Sequence, residues 1–308
     1  MATKQTSIGG WIRRTLKEDA PRSKSLIITI FGDSIAPHMP EIWLSELMAL
    51  LKPFHVNEQL VRTSAFRLTE EGWLESQRDG RRSRYSLTSS GLHRVEHAYQ
   101  RIYEPAPKHW DGNWTFVILN KNGSSGANRV ELRRELVWEG FGLLSLGIFL
   151  HPCSDPTALR EVLDRLKLAG NVSVLEAYNL EMVSSTPAIR LVADCWNLES
   201  VANNYRRFLK RFQPVRAMLR GPLDSQTAFI VQTLLIHSFR RVVLHDPRLP
   251  AALLPEDWPG HIAYDLCREI YLLTYRLAQT YLSDQLIDAA PTPLRPNEMF
   301  RRRFGGLD

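Results

Sequence analysis

The chain has 308 residues, of which 44% are hydrophobic and 23% charged, and a formal net charge of +6. This length predicts two or three domains, and the composition excludes a low-complexity or fibrous protein. Three scattered cysteines without a CxxC motif argue against a disulfide framework. The N-terminus lacks the apolar run of a secretory signal, and no uncharged stretch, that at residues 140–152 included, reaches the roughly 20 residues of a membrane span. We therefore expect a cytoplasmic protein with no membrane contact.

Three predicted helices occupy the N-terminal part of the chain. Residues 25–37 are apolar and end in glycine, aspartate and proline; their β-branched residues suit a strand, but the length of the segment and the residues after it favour a short buried helix. Apolar residues repeat at helical spacing over 41–54, where a proline ends the second helix. The third helix covers 57–72, with Asn57 as its N-cap and Gly72 at its end.

A β-hairpin is predicted directly after these helices. The segments WLESQ and SRYSL flank an Asp-Gly pair, which is a strong hairpin signal. Between residues 78 and 84, four arginines against one aspartate give a local charge of +3. These arginines are Arg78, Arg81, Arg82 and Arg84. A further helix follows over 89–103, where apolar residues recur at three- and four-residue spacing.

The third helix and the hairpin together suggest contact with double-stranded DNA. The outward-facing residues of the helix are Gln59, Arg62, Thr63 and Arg67. A helix fits the major groove and reaches base edges from one face, while arginines of a hairpin beside it meet phosphates or the minor groove. A charged turn is usually only a solvated turn, but its place after three helices favours a winged helix-turn-helix. All four hairpin arginines are then candidates for DNA contact: Arg81 and Arg82, at the tip, come first, and Arg78 and Arg84, on the strands, are the two more readily expected to be structural.

The pattern changes after a linker at 104–114, which contains two prolines and a glycine. From there, strands and helices alternate in the order β-α-β-α-β. The predicted segments are strand 114–120, helix 127–141, strand 142–152, helix 155–170 and strand 171–180. This order predicts an α+β domain of the ferredoxin-like kind in which one strand is missing or hidden.

The last third of the chain is predicted to be mostly helical. Its boundary lies near 184–188, and a basic tail rich in proline follows from residue 291. The predicted helices cover 198–212, 224–245 and 259–285. The complete pattern is that of an α+β multidomain protein. Its expected domains are a winged helix with an N-terminal arm and a following helix at 1–104, a ferredoxin-like domain at 105–186 and a helical domain at 187–308.

Six motifs, in order along the chain, carry a family resemblance. They are WLSELMALLKPFHVNEQLVRTSAFRLTEEGWL, GRRSRYSLTSSG, WDGNW, LVWEGFG, HSFRRVVLHDPRLPAALLPEDWPG and the terminal RFGGLD. Together they resemble the PaaX family, the bacterial repressors of phenylacetate catabolism, over essentially the whole chain. The resemblance implies a homodimeric repressor that binds operator DNA and is released by an acyl-CoA thioester, phenylacetyl-CoA. It also implies a middle domain similar to the Cas2 fold and a C-terminal domain for effector binding or dimerisation.

Two groups of residues are candidates for contact with such an effector. His237 and Arg241 stand four residues apart on one predicted helix, so that together with Arg240 they can grip a phosphate or carboxylate of an acyl-CoA. The alternative is a structural network of ion pairs and caps. The second group consists of tryptophans that could line a pocket for the aryl part of the effector: Trp110, Trp114 and Trp138. The alternative, aromatic residues buried in a core, is more common. No cofactor is expected beyond the effector.

An enzymatic function is not expected. A Cas2-type nuclease needs a metal-binding carboxylate at the end of the first strand, but here that strand ends in Asn120-Lys121. The sequence HPCSD at 151–155 superficially resembles a set of metal ligands, yet a strand end and a helix cap explain it better. We expect no catalytic residues and no metal. Three other functions stay open: a regulator of another aromatic-acid or styrene pathway with a different effector, a winged helix that binds protein rather than DNA, and, least favoured, a Cas2-like nuclease built on the middle domain.

Overall fold

The computed structural model describes residues 7–106, 109–120, 126–178, 188–288 and 294–307. They belong to two compact units. The first unit comprises Met1–Glu104, Arg207–Arg241 and His261–Asp308, and the second comprises Pro105–Arg206 and Val242–Gly260. Each unit combines segments that are distant in sequence. The three consecutive domains expected at 1–104, 105–186 and 187–308 therefore stay a prediction.

Five helices occur in the described N-terminal part of the first unit, and the side chains of Ser7, Asn57 and Thr88 cap three of them. The five helices are α1 (Ile8–Glu18), α2 (Ser23–Ile30), α3 (Leu44–Leu51), α4 (Glu58–Glu70) and α5 (Ser89–Tyr103). At the start of α4, the Asn57 side chain accepts a hydrogen bond from the Leu60 N–H at 2.8 Å, as the sequence predicted. The apolar segment 25–37 is helical, as expected, and α2 continues into a π-helical turn at Phe31–Ile35.

A three-stranded antiparallel sheet accompanies these helices. Its strands are β1 (Glu41–Trp43), β2 (Leu74–Asp79) and β3 (Arg82–Leu87), in the order β1-β3-β2. The predicted hairpin is confirmed: Asp79 pairs with Arg82, so Gly80 and Arg81 form its turn. Gly80 has a φ of +58°, which suits the first central position of a two-residue hairpin turn. The second predicted helix begins at Leu44 rather than at residue 41, because the intervening residues pair with β3.

The second unit contains a four-stranded antiparallel sheet. Its elements are β4 (Asn113–Leu119), α6 (Gly126–Trp138), β5 (Gly142–Ser145), β6 (Ile148–His151), α7 (Pro156–Arg165), β7 (Val172–Tyr178) and α8 (Ala188–Cys195). The strand order is β5-β6-β4-β7. The helices α6 and α7 share a buried core with the sheet. Its members include Val117, Leu132, Leu136, Phe149 and Leu159.

The segment 142–152, predicted as one strand, is a hairpin of two strands. Its turn contains Gly147, whose φ of +83° lies in the left-handed region that favours glycine. The resulting succession, β-α-β-β-α-β, is the ferredoxin-like pattern. The strand that the sequence prediction left missing or hidden is therefore one of the two in this hairpin.

The remaining helices confirm the mostly helical character predicted for the last third of the chain. They are α9 (Leu198–Met218), α10 (Ser225–Val243), α11 (Gly260–Gln285) and the short α12 (Glu298–Arg301). Nearly all of α10 and α11 belongs to the first unit, where side chains such as Phe229 and Ile270 are buried. Among the described helices, none combines the length and the apolar character needed to cross a membrane.

Candidate nucleic-acid interface

Helix α4 turns a polar and basic face to solvent. Its inner side has no exposed surface and anchors the helix in the first unit; the residues are Val61, Ala65 and Leu68. The outer side carries the four residues predicted to contact DNA. Gln59, Arg62 and Arg67 are exposed, and Thr63 is half-buried. The Thr63 hydroxyl donates to the Gln59 carbonyl at 2.9 Å, so only its oxygen lone pairs are available to a partner.

The two arginines of this face are free to bind an anion. Among the residues that the structure describes, neither Arg62 nor Arg67 has a hydrogen bond or an ion pair from its side chain. An unpaired guanidinium keeps all five of its N–H donors, and its planar fork matches phosphate oxygens or a guanine edge. The burial of the opposite side fixes the helix, so the position of these two charges is set by the fold.

The four arginines of the hairpin divide into two pairs. Arg78 on β2 and Arg81 in the turn are exposed, and in the described part of the chain their side chains have no ionic or hydrogen-bonding partner. Arg82 and Arg84 on β3 stack instead on the indole of Trp43. Their guanidinium carbons lie 4.0 and 4.3 Å from the ring centroid, which is cation–π distance.

Acidic side chains hold Arg82 and Arg84 in place. Arg84 donates to Glu41 at 2.7 Å and to Asp79 at 3.0 Å, and the hydrogen bond to Glu41 raises the pKa of Arg84. Arg82 forms an ion pair with Asp288, in the segment after α11. The structural role expected for Arg84 agrees with these contacts. Arg82, a first candidate for DNA contact, already has an anionic partner, whereas Arg78, expected to be structural, has none among the described residues.

Glu46 connects the residues that support this hairpin. Its carboxylate is buried and accepts the backbone N–H of Trp43 at 3.0 Å, where it caps the start of α3. The other oxygen accepts the backbone N–H of Asp288, also at 3.0 Å. One carboxylate therefore fixes both the ring on which the two arginines stack and the residue that pairs with Arg82.

The residues predicted to bind the effector lie on α10, where only His237 is buried and Arg240 is half-buried. His237 is 3% exposed, and its Nδ1 lies 3.1 Å from the Thr29 hydroxyl on α2. Burial, followed by the nearby charges of Arg240 and Arg241, lowers the pKa of His237 to about 3. Its ring is therefore neutral at physiological pH and adds no charge to an anion site.

Arg240 also joins α10 to α2. Its Nη2 donates to the carbonyl and the hydroxyl of Ser25, at 3.2 and 2.9 Å, and burial lowers the pKa of Arg240 to about 10. Arg241 is exposed. These contacts match the structural alternative weighed for the cluster, and the assignment of His237, Arg240 and Arg241 to effector binding stays a prediction.

A buried arginine near the C-terminus was not predicted from the sequence. Arg303 has no exposed surface, and its Nη1 donates at 3.0 Å both to the Asp33 carboxylate and to the Asp33 carbonyl. Asp33 lies in the π-helical turn after α2, a conformation that changes which carbonyls are paired within the helix. Tyr103 donates to the same carboxylate at 2.6 Å, and Gln232 donates to its other oxygen at 2.9 Å. The only signal in the sequence was the terminal RFGGLD motif.

Aromatic rings complete the surroundings of Arg303. Its guanidinium carbon lies 4.3 Å from the ring centroid of Tyr103 and 4.6 Å from that of Phe300. Burial by itself lowers the pKa of Arg303, but Tyr103, Tyr271 and Asp33 outweigh it and raise that pKa above its ordinary value. The side chain is therefore a permanent buried cation that connects the C-terminal segment to the turn after α2.

In the second unit, the histidine of HPCSD has structural partners. His151 is buried; its Nδ1 accepts the Cys153 N–H at 3.0 Å, and its Nε2 lies 3.1 Å from the Pro247 carbonyl. Asp155 caps α7, as expected, by accepting the Thr157 N–H. Across the described ranges, no group of three or more histidine, cysteine, aspartate or glutamate side chains is placed to hold a metal ion.

The second unit also has a concavity of about 610 Å³. Most of its wall is apolar, and Asp194 and Glu199 contribute negative charge. None of the three predicted effector residues lines it. Of the tryptophans considered for an aryl pocket, Trp110 and Trp114 pack edge to face at 5.3 Å, whereas Trp138 lies on α6 and is 36% exposed.

These features define the class of the protein, an α+β multidomain protein with arginines exposed on α4 and the hairpin of the first unit and a β-α-β-β-α-β sheet in the second. Family models for this class match along the chain: PaaX-like protein over residues 22–91, the PaaX protein central Cas2-like domain over 107–189, and the PaaX-like protein C-terminal domain over 196–284. The chain is also 37% identical, over 288 residues, to the transcriptional repressor PaaX of Escherichia coli (strain K12). That alignment covers 92% of this chain and 90% of the relative. The chain belongs to the PaaX family.

A solved structure has a similar fold. It is the uncharacterized protein Rv0674 from Mycobacterium tuberculosis, with 24% sequence identity, a TM-score of 0.50, and coverage of 84% of this chain and 99% of that one. The family resemblance predicted from the motifs is thus confirmed, and the Cas2-like description agrees with the sheet of the second unit. The family is one of regulators rather than enzymes, as the sequence predicted.

Proposed function

We propose that this protein is a DNA-binding transcriptional repressor of a phenylacetate-degradation operon, and that an acyl-CoA such as phenylacetyl-CoA releases it from its operator. The observation that carries DNA binding is the group of exposed arginines on α4 and on the adjacent hairpin, which have no partners among the described residues. They are Arg62, Arg67, Arg78 and Arg81. The name of the Escherichia coli relative supports repression.

In this proposal, α2, α3 and α4 with the hairpin form a winged helix-turn-helix. Helix α4 is the recognition helix and enters the major groove, where Arg62 or Arg67 can bind a guanine edge in a bidentate manner. Gln59 and Thr63 contact base edges or the backbone from the same face. The hairpin is the wing. Arg78 and Arg81 neutralise phosphates, and such contacts position the protein on the duplex without reading sequence.

Arg82 and Arg84 have a supporting role in this interface. Both stack on Trp43, and Arg84 bridges β1 and β2 through Glu41 and Asp79. These contacts tie the wing to β1, so that the charges at its turn reach the duplex together with α4. The wing contacts expected at Arg81 and Arg82 are therefore reassigned to Arg81 and Arg78.

The proposal includes a homodimer and an effector. A two-fold symmetric dimer reads two half-sites, so the operator should be palindromic or nearly so. Release by a ligand requires that the ligand bind the state with low DNA affinity more tightly than the state with high DNA affinity. A coenzyme A thioester is the effector that the family suggests, and its phosphates require cationic side chains at the binding site.

A gel-shift experiment on the DNA upstream of the protein's own gene tests the function. We expect the full chain to retain this DNA, phenylacetyl-CoA to release it, and free phenylacetate at the same concentration to leave the complex intact. If neither ligand released the DNA from the protein, the proposed effector would be wrong. Release by a different aryl-CoA would identify a repressor of another aromatic pathway.

The same experiment separates DNA binding from binding to a protein. Neutralisation of phosphates by arginine is strongest at low salt. If the full chain retained no DNA even at low ionic strength, the winged helix would be an interaction module for another protein, and the proposed function would be wrong.

A further inference from the structure

A phenylalanine lies in the middle of the outer face of α4. Phe66 is 58% exposed, while the other side of the helix buries its apolar residues completely. It stands three residues after Thr63, four after Arg62 and seven after Gln59, which is the spacing of residues on one helical face. The residues that the proposed function assigns to base recognition therefore surround this ring.

The surroundings of Phe66 indicate what covers it. An exposed aromatic ring with polar residues around it marks an interaction surface. Here the neighbours Arg62 and Arg67 are cations without partners in the described chain, so a purely apolar partner would bury two uncompensated charges. A polyanion with an apolar element among its polar groups satisfies both requirements. The major groove of DNA is such a surface, because thymine presents a C5 methyl group between hydrogen-bonding base edges.

We propose that Phe66 is a specificity-determining residue that contacts a thymine methyl group in each operator half-site. This inference rests on the proposed function and adds to it a base preference that the arginines do not supply. Arginine selects guanine through hydrogen bonds, whereas an apolar ring distinguishes thymine from cytosine by the methyl group. Loss of one buried methyl group corresponds to about a four-fold weaker complex for each half-site.

Deoxyuridine scanning of the operator tests this contact, because deoxyuridine pairs like thymidine but lacks the C5 methyl group. Each thymidine of one half-site is replaced in turn, and the dissociation constant of the full chain is measured. We expect one position at which the replacement weakens binding about four-fold. In Phe66→Ala, binding to the unmodified operator should be weaker, and replacement at that position should have no further effect.

Leu60→Ala provides the matched control. Leu60 is also an exposed apolar residue of α4, at 44%, but it lies six positions from Phe66, about a third of a turn around the helix. This variant should keep the full sensitivity to deoxyuridine. Phe66→Leu keeps an apolar side chain and should retain part of that sensitivity, so it tests the inference even if Phe66→Ala folds poorly.

The outcomes distinguish this inference from the proposed function. If no deoxyuridine replacement weakened binding by the wild-type protein, the thymine contact alone would be wrong. The same would follow if Phe66→Ala remained as sensitive to deoxyuridine as the wild type. A third outcome is that no thymine replacement affects the wild type and that Phe66→Ala no longer elutes as a dimer in size-exclusion chromatography. The Phe66 ring would then belong to an interface between two copies of this chain. Failure of the wild-type protein to bind any DNA would overturn the proposed function, and the inference with it.

Discussion

Arg303 has no exposed surface, and it shares its guanidinium among the Asp33 carboxylate, the Tyr271 hydroxyl and backbone carbonyls. Arg81, by contrast, stands in a turn with no partner among the described residues. The same type of side chain thus supports the fold in one place and, in the proposed function, contacts DNA in the other. A buried ion pair adds little net stability, but removal of one member leaves the other charge uncompensated.

Replacement of Arg303 should therefore be costly. We expect Arg303→Met to lower the free energy of unfolding by about 3–5 kcal/mol, because Asp33 then stays buried without a cation. The double variant Asp33→Asn/Arg303→Met removes both charges and should recover part of this loss. Chemical denaturation of the three proteins measures the difference. A double variant no more stable than the single one would show that the charge of Asp33 is not the cause.

Local sequence was informative about elements whose determinants are close together. The Asp-Gly signal predicted the hairpin of β2 and β3, and Asn57 correctly marked the start of α4. The segment 142–152 was different, because its turn lies inside an apolar run that reads as one buried strand. Gly147 marks that turn, but an isolated glycine in a strand pattern also occurs in uninterrupted strands.

The division of the hairpin arginines could not be predicted in the same way. Four arginines within seven residues look equivalent in the sequence, and their partners lie far away in the chain. Arg82 pairs with Asp288, and Arg84 pairs with Glu41. Likewise, the sequence around Arg303 does not indicate that its partner is Asp33, 270 residues earlier. These contacts arise from packing between distant segments, and only the folded structure shows which charges are still exposed.

Two histidines of the first unit predict a pH dependence of stability. His237 and His38 stay neutral in the fold because burial lowers the pKa of His237 to about 3 and that of His38 to about 4. An unfolded histidine has a pKa near 6.5, so below that pH only the unfolded state takes up these protons. Stability should therefore fall with decreasing pH below about 6.5, by up to about 1.4 kcal/mol per pH unit for each histidine.

His237→Asn should reduce this slope, since it removes one of the two protons taken up on unfolding. The measurement is the free energy of unfolding at several values between pH 7 and pH 5, compared with the wild type. His55→Asn is the control, because His55 is exposed and has a left-handed backbone that asparagine tolerates. Identical slopes for the wild type and His237→Asn would contradict a buried neutral histidine at this position.

For the whole molecule, the family relationship spans both units, since the aligned relative covers 92% of the chain. In the proposed function, the repressor has a surface for DNA and a site whose occupancy changes the affinity of that surface. That proposal places the DNA surface on α4 and the hairpin. The proposed function therefore depends above all on whether the exposed arginines of that surface bind DNA phosphates.

The salt dependence of DNA binding tests this claim most directly. Each neutralised phosphate contributes about 0.9 to the slope of log K against log salt concentration. We predict that Arg81→Ala lowers the slope by about 0.9, while Arg160→Ala, which removes another exposed arginine from α7 of the second unit, leaves it unchanged. Equal slopes for the wild type and both variants would contradict the account.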